Sequence, residues 1–426
     1  MRLALAAGVL LVAAVVLIFA PGLVSGSSVS EGAPTSPSAP PAQTTAAPGS
    51  GADPAAVSPT AEGESTPSPA APLSDPQGRA QQILGGMSLE QRVGQIMMVS
   101  SPVGGPDQAA TDAMTRLHIG NVFLKGRTTA GAGAVGSAVK AVRAHATPDA
   151  TAGVGQYIST DQEGGQIQIL TGPGFSAIPP ALAQGAMDPA ALRGAAAQWG
   201  RELASVGVNL DLAPVLDTVP SASFAPQNTP IGKYEREFGF APSSVSDHGL
   251  AVMRGLADAG VATTPKHFPG LGRVTANTDF GTDVTDSATN RGDSYLAPFA
   301  DAVRAGASWT MISNALYPAI DPNHYAVFSS TVIQGMLRGD LGFRGIVISD
   351  DVCDAAQLSG FALEHRGADF LGAGGTMVLC TNQTLAPRVW QGIVDRAKGD
   401  PGFARTVDTA ALAVLEAKGT SGLLPH

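Results

Sequence analysis

The sequence predicts an α/β protein, a (β/α)8 barrel of the TIM type, preceded by a signal or anchor segment and a disordered linker. Three observations lead there. Eight short apolar runs alternate with Ala-rich helical stretches from residue 75 onward. The runs are continuously apolar rather than alternating, which suits parallel strands buried on both faces. Most of them end on a polar or ionisable residue: Ser100, Lys125, Asp161, Asp217, His267, Asn314 and Asp350. A barrel enzyme gathers its pocket from such groups at the C-terminal ends of its strands. An open doubly wound sheet gives the same alternation and stands as the alternative.

The chain begins with Arg2 and an apolar run over residues 3–20, the pattern of a signal peptide, with the small residues Val24-Ser25-Gly26 at a cleavable position. The run is also nearly long enough to cross a bilayer, for which about 20 residues are needed. Residues 1–26 are therefore a signal peptide or an uncleaved membrane anchor. No Cys lies near residue 20, which excludes a lipid-modified N-terminal Cys. Residues 27–74 are Ala, Pro, Ser, Thr and Gly almost throughout, and such a segment buries too little apolar surface to offset its ordering entropy. It reads as a linker, semi-extended by its prolines. Residues 75–426 hold every motif and are long enough for one large core.

Within that region Ser88-Leu89-Glu90-Gln91 opens a helix with a capping box. The eight strand candidates follow: Gln95–Ser100, Asn121–Lys125, Gln156–Asp161, Val208–Asp217, Ala262–His267, Trp309–Asn314, Ile346–Asp351 and Thr376–Thr381. Amphipathic stretches such as Asp188–Val206 and Ser243–Ala259 lie between them. Cys353 falls just past the seventh run and Cys380 in the eighth, so neighbouring strand ends bring them within reach of a disulfide. An exported chain is where such a bridge persists.

Several chemistries are excluded. The net charge is −10 and no Lys/Arg block appears, so nucleic acid is not an expected partner. There is no GxSxG elbow, HExxH pair, phosphate-binding GxxxxGK[ST] loop or metal-type Cys spacing. Gly131-Ala132-Gly133-Ala134-Val135-Gly136 matches GxGxxG, but with 52 glycines in the chain chance matches are expected, and no acidic ribose ligand ends the next strand.

Three clusters remain as carriers of chemistry. Asp350 at a rigid strand end suits the carboxylate nucleophile of glycoside cleavage, whereas Asp351 points the opposite way. An Asp pair after a strand also serves as a helix cap. Lys266 and His267 suit hydrogen bonding to sugar hydroxyls, as does Asp161; each is also compatible with a core ion pair or a satisfied core histidine. Gly164 and Gly165 let the backbone pass close to a ligand or merely turn the chain.

Taken together, MSLEQRVGQIMMV, TDQEGGQIQ, GVNLDLAPVLD, KHFPGLG and GFRGIVISDD, in this order between about Ser88 and residue 381, resemble the family 3 glycoside hydrolases, in their single-domain β-N-acetylglucosaminidase (β-N-acetylhexosaminidase) branch. The resemblance implies a retaining two-step mechanism without metal or organic cofactor. It implies Asp350 as nucleophile, and Asp161, Lys266, His267 and, from Tyr234-Glu235-Arg236-Glu237-Phe238-Gly239, Arg236 as sugar-binding residues. The substrates it implies are N-acetylglucosamine-containing cell-wall fragments, met by an exported enzyme in the envelope during peptidoglycan turnover. A β-glucosidase, another β-glycosidase or phosphorylase, and a non-catalytic sugar-binding protein of the envelope remain as alternatives.

Two departures bear on mechanism. Where the branch carries an Asp-Ser-His triplet on the loop after KHFPGHG, this chain reads Asn277-Thr278-Asp279. The expectation is that Asp279 replaces the histidine as acid/base, with Asn277 orienting it and Gly270, Gly272 and Gly281 letting the loop move. Asp283 and Asp286 are the nearby alternatives. The branch arginine eight residues beyond Asp161 is replaced by Ile169.

Overall fold

The computed structural model describes residues 76–425. The signal or anchor segment (1–26) and the linker (27–74) lie outside the described residues. Helix Leu89–Gln95 starts at the predicted capping box. Ser88 Oγ accepts the Gln91 N–H and Gln91 Oε1 accepts the Ser88 N–H, each at 3.1 Å.

Each of the eight predicted runs overlaps a strand, but Gln95 closes helix Leu89–Gln95 with Ile96 as its cap, and the fourth and fifth runs keep only two strand residues each. The strands are β1 (Met97–Pro102), β2 (Asn121–Lys125), β3 (Tyr157–Thr160), β4 (Leu210–Asp211), β5 (Ala262–Thr263), β6 (Trp309–Ile312), β7 (Ile346–Ser349) and β8 (Val378–Cys380). They form a curled parallel sheet in two ladders: β8-β1-β2-β3-β4-β5 in one and β6-β7 in the other. Single parallel bridges, Phe268 to Ile312 and Ile348 to Met377, link the two ladders at either side.

The ladder is thin at β4 and β5 for a covalent reason. Pro214 and Pro265 have no N–H to give, so regular pairing stops there. It resumes as an isolated bridge, with the Lys266 N–H donating to Pro214 O (3.1 Å) and the Leu216 N–H to Lys266 O (2.7 Å). Consecutive strand residues such as Met97 and Met98, or Val347 and Ile348, are fully buried, so both sheet faces are covered. Helices such as Pro189–Ser205 and Pro242–Asp258 pack on one another and into the same core.

The GxGxxG run is the start of helix Gly131–Arg143. The Gly131 and Ala132 N–H groups, which a phosphate would need, already donate to Thr171 O and Pro173 O. Cys353 and Cys380 are joined by a disulfide with Cα atoms 5.1 Å apart.

Candidate active site

The sugar-binding candidates meet at the C-terminal ends of β3 and β5 and on the segment after β4. Lys266 Nζ lies 2.7 Å from Asp161 Oδ1 and 2.6 Å from Glu163 Oε1. The Arg236 fork grips the same glutamate, Nε to Oε2 and Nη2 to Oε1, both at 2.7 Å, and its third nitrogen donates to Pro230 O at 2.8 Å. Glu163 therefore joins the two cations, a role that the sequence reading did not assign. Burial alone would raise its carboxyl, but Arg236 and Lys266 outweigh this and hold it at about 2. Asp211, at the end of β4, adds a fifth group. Burial, helped by the charges of Asp161 and Glu163, pushes it up to about 8 against the pull of the Gln162 N–H and Lys266. With Asp211 protonated, two carboxylates balance two cations.

Gly164 has a structural purpose rather than a ligand-facing one. Its φ is +108°, and a Cβ there would lie 2.3 Å from Pro179 O. The turn is packed against the chain, and only glycine fits.

His267 is fixed by Asp217, which ends the extended run after β4. Asp217 Oδ2 is 2.7 Å from His267 Nδ1, while Oδ1 accepts the N–H groups of His267 (3.1 Å) and Leu271 (2.8 Å). The fully buried aspartate thus sets the ring orientation and leaves Nε2 for the cleft. Sequence analysis marked Asp217 only as a strand-end polar group.

Asp350 follows β7, its N–H donating to Ile312 O at 3.0 Å and its Oδ1 accepting the Asp351 N–H at 2.8 Å. Burial raises its carboxyl above the ordinary value, with His267 opposing. Asp351 borders the same cleft, but its carboxylate is engaged and ties two strand ends together. It accepts the N–H groups of Cys353, Asp354 and Thr381 and the Thr381 hydroxyl, all within 3.0 Å.

Asp279 reaches the same cleft from the loop after β5. Asn277 Oδ1 accepts the Asp279 backbone N–H at 2.8 Å, so it shapes the turn instead of orienting the carboxyl as expected. The loop walls first, then the charges of Asp350 and Asp351, raise the Asp279 carboxyl to about 6, although the residue itself stays exposed. Of the two alternatives, Asp286 is buried and engaged with the Ala288 and Thr289 N–H groups and the Thr289 hydroxyl. Asp161, Arg236, Lys266, His267, Asp279 and Asp350 all line one cleft of about 820 Å³. Ile169 lies on its wall, and Phe280, 83% exposed, stands beside Asp279.

Carboxyl groups sharing a cleft with buried ion pairs, at the strand ends of a parallel sheet, are the arrangement that glycoside cleavage uses. Likeness to known proteins makes the class specific. Residues 88–414 match the Glycosyl hydrolase family 3 N terminal domain, and the chain belongs to that family. It is 33% identical over 290 residues to a Beta-hexosaminidase of Nitrosomonas eutropha, covering 66% of this chain and 79% of the relative. Among solved structures, the Beta-N-acetylhexosaminidase of Beutenbergia cavernae superposes with a TM-score of 0.77 and 46% identity, over 78% of this chain and 99% of the other. A family 3 beta-N-acetylglucosaminidase of a Paenibacillus species gives a TM-score of 0.70 and 27% identity, over 80% of this chain and 64% of the other.

Proposed function

We propose that the chain is a retaining β-N-acetylglucosaminidase that releases a non-reducing terminal sugar from cell-wall fragments. In this reading the sugar sits over Asp161, Lys266, His267 and Arg236. The Asp350 carboxylate attacks the anomeric carbon, and the glycosidic C–O bond breaks as the Asp279 carboxylic acid gives its proton to the leaving oxygen. A glycosyl ester on Asp350 results. The ionised Asp279 then takes a proton from water, whose oxygen attacks the anomeric carbon and frees Asp350.

The observation that carries this reading is the convergence of Asp350, Asp279, Asp161, Lys266 and Arg236 on one cleft, with Glu163 pairing both cations. The likeness to hexosaminidases supports the acetamido sugar. The two linking bridges support closure of the sheet into an eight-stranded barrel. The apolar run at 3–20 and the disulfide support a place outside the cytoplasm, in the envelope or beyond it, with membrane tethering if the run is retained.

Asp350→Asn is expected to lower turnover of a chromogenic N-acetyl-β-glucosaminide by at least about 10⁴-fold. A fluorinated glycoside should label Asp350 in the unmodified enzyme. Labelling of another residue, or near-normal turnover by the variant, would remove the mechanism. Equal or faster cleavage of the nitrophenyl glucoside lacking the acetamido group would replace the substrate by a glucoside. N-terminal sequencing of the mature protein and cell fractionation decide the location.

A further inference from the structure

The stretch that carries Asp279 is docked on the loop that carries Asp350. The Gln357 N–H donates to Thr278 O at 3.0 Å and the Ala356 N–H to Asp279 O at 3.2 Å. The Gln357 side chain then bonds Val284 in both directions: Oε1 accepts its N–H at 2.9 Å and Nε2 donates to its carbonyl at 3.0 Å. Gln357 and Thr278 are 2% exposed and Val284 1%, so water does not compete for these bonds. One buried amide and its neighbour thereby fix the Asp279 segment from both sides.

The platform beneath is itself immobilised. Asp351 makes its four hydrogen bonds within it and to β8, and the disulfide ties Cys353 to β8. Arg366 donates to Val352 O, Cys353 O and Phe361 O along the same loop. Asp350 begins this loop and Gln357 lies seven residues on. The nucleophile candidate and the dock of the acid/base candidate thus share one rigid piece of chain.

We infer that Gln357 is the positioning residue for acid catalysis: from the nucleophile's own loop it latches the Asp279 segment, so that the two reacting carboxyl groups keep their mutual placement. The inference rests on the reading of Asp279 as acid/base. In the first step, which kcat/KM reports, a latch of this kind matters only where the leaving oxygen needs a proton; the water-activating second step is common to all substrates. Glycosides of 2,4-dinitrophenol leave unaided, whereas alkyl or sugar leaving groups do not.

Gln357→Met keeps length and apolar bulk but loses both side-chain bonds. Its kcat/KM on a GlcNAc disaccharide should fall about 10- to 100-fold, the scale of a misplaced catalytic group, while kcat/KM on the dinitrophenyl glycoside stays within about twofold. Ala356→Pro removes only the bond to Asp279 O. Ala356 is the first residue of the 3-10 turn Ala356–Leu358 and Ala355 has ψ 117°, so proline is tolerated there. It should show the same leaving-group selectivity in smaller measure, which covers the case of Gln357→Met failing to fold. Equal losses on both substrates, or none on either, overturn the latch. Asp279→Asn run in parallel separates the two ideas. If it shows the leaving-group pattern and the latch variants do not, only the latch fails; if it leaves disaccharide turnover intact, the acid/base reading fails and the latch with it.

Discussion

At the floor of the cleft Lys266 and Arg236 are ion-paired to Glu163, whose side chain is 5% exposed, whereas at the rim Asp279 is exposed and, among the described residues, no hydrogen bond reaches its carboxylate. The floor satisfies its charges internally before any ligand arrives. The rim takes its geometry from backbone bonds to a neighbouring loop. In the proposed reading, a sugar ring at the floor needs fixed partners for its hydroxyls, which desolvated ion pairs would provide. A leaving group needs access and a proton that can be given and recovered, which an exposed carboxyl on a docked loop would provide. The contrast predicts that floor substitutions cost stability and binding together, while rim substitutions change rate and pH dependence with the fold intact.

The largest effect should come from Glu163→Gln. Asp161 and Glu163 balance Lys266 and Arg236, so the amide leaves a buried positive charge without its counterion. Breaking such a network costs about 3–5 kcal/mol. Asp211 provides partial relief, because Glu163 is one of the charges keeping it protonated. Its ionisation would restore part of the lost charge balance. Urea denaturation near neutral pH, paired with KM for the chromogenic substrate, checks this. A variant as stable as the parent with unchanged KM would erase the distinction between floor and rim.

The disulfide comes next. It closes a separation of 27 residues, for which the chain-entropy argument gives about 3.5 kcal/mol. The Cys353→Ser, Cys380→Ser double variant should melt well below the parent, and a reducing agent should lower the parent's Tm to match. If the platform serves the rim, the same variant should also lose more activity on the disaccharide than on the dinitrophenyl glycoside.

The floor and the rim differed in how far the sequence revealed them. Asp161, Lys266, His267 and Asp350 were visible because each ends a buried apolar run, where period and placement agree. Arg236 and Asp279 lie on irregular loops and came from the resemblance alone. Glu163 sat inside the quoted DQEGG motif yet received no role, although two lone cations, Lys266 and Arg236, already called for a second carboxylate. Gln357 carried no sequence signal at all. Its importance arises from where Val284 and Thr278 fall in space, which no local pattern encodes. Each strand candidate overlapped its strand, although the first began inside helix Leu89–Gln95, and the breaks after β4 and β5 follow from Pro214 and Pro265, residues that the apolar runs included as if they could pair.

A rate effect confined to the rim follows. With its carboxyl raised to about 6, Asp279 should be protonated below that pH and ionised above it. The first step needs the proton, so kcat/KM on a poor leaving group should decline as pH rises past about 6. Asp279→Asn should lose this alkaline limb, and what activity survives should be flat there. An unaltered limb in the variant assigns it to another group, since Asp350 and Asp279 titrate as an interacting pair.

The smallest effect tests whether an unpaired charge next to the floor behaves unlike the paired ones. Glu237 adjoins Arg236, is fully buried, and neither carboxyl oxygen has a hydrogen-bond partner. Burial, against the pull of its own backbone N–H and with a smaller contribution from Glu235, pushes it up to about 7 from an ordinary 4.5. Between these values the folded protein keeps a proton that the unfolded chain has released. Stability from this residue is therefore full below about 4.5 and is lost as pH rises through about 7. Glu237→Gln cannot ionise, so it should gain about 1–2 kcal/mol on the parent at pH 8 and nothing at pH 4.5. Asp211 titrates in an overlapping range, which is why the difference between variant and parent, and not the parent's own curve, isolates Glu237. Urea midpoints at the two pH values measure it. A difference that does not change with pH would mean that the carboxyl is solvated or paired in solution, and that the floor's immediate surroundings are as open as the rim.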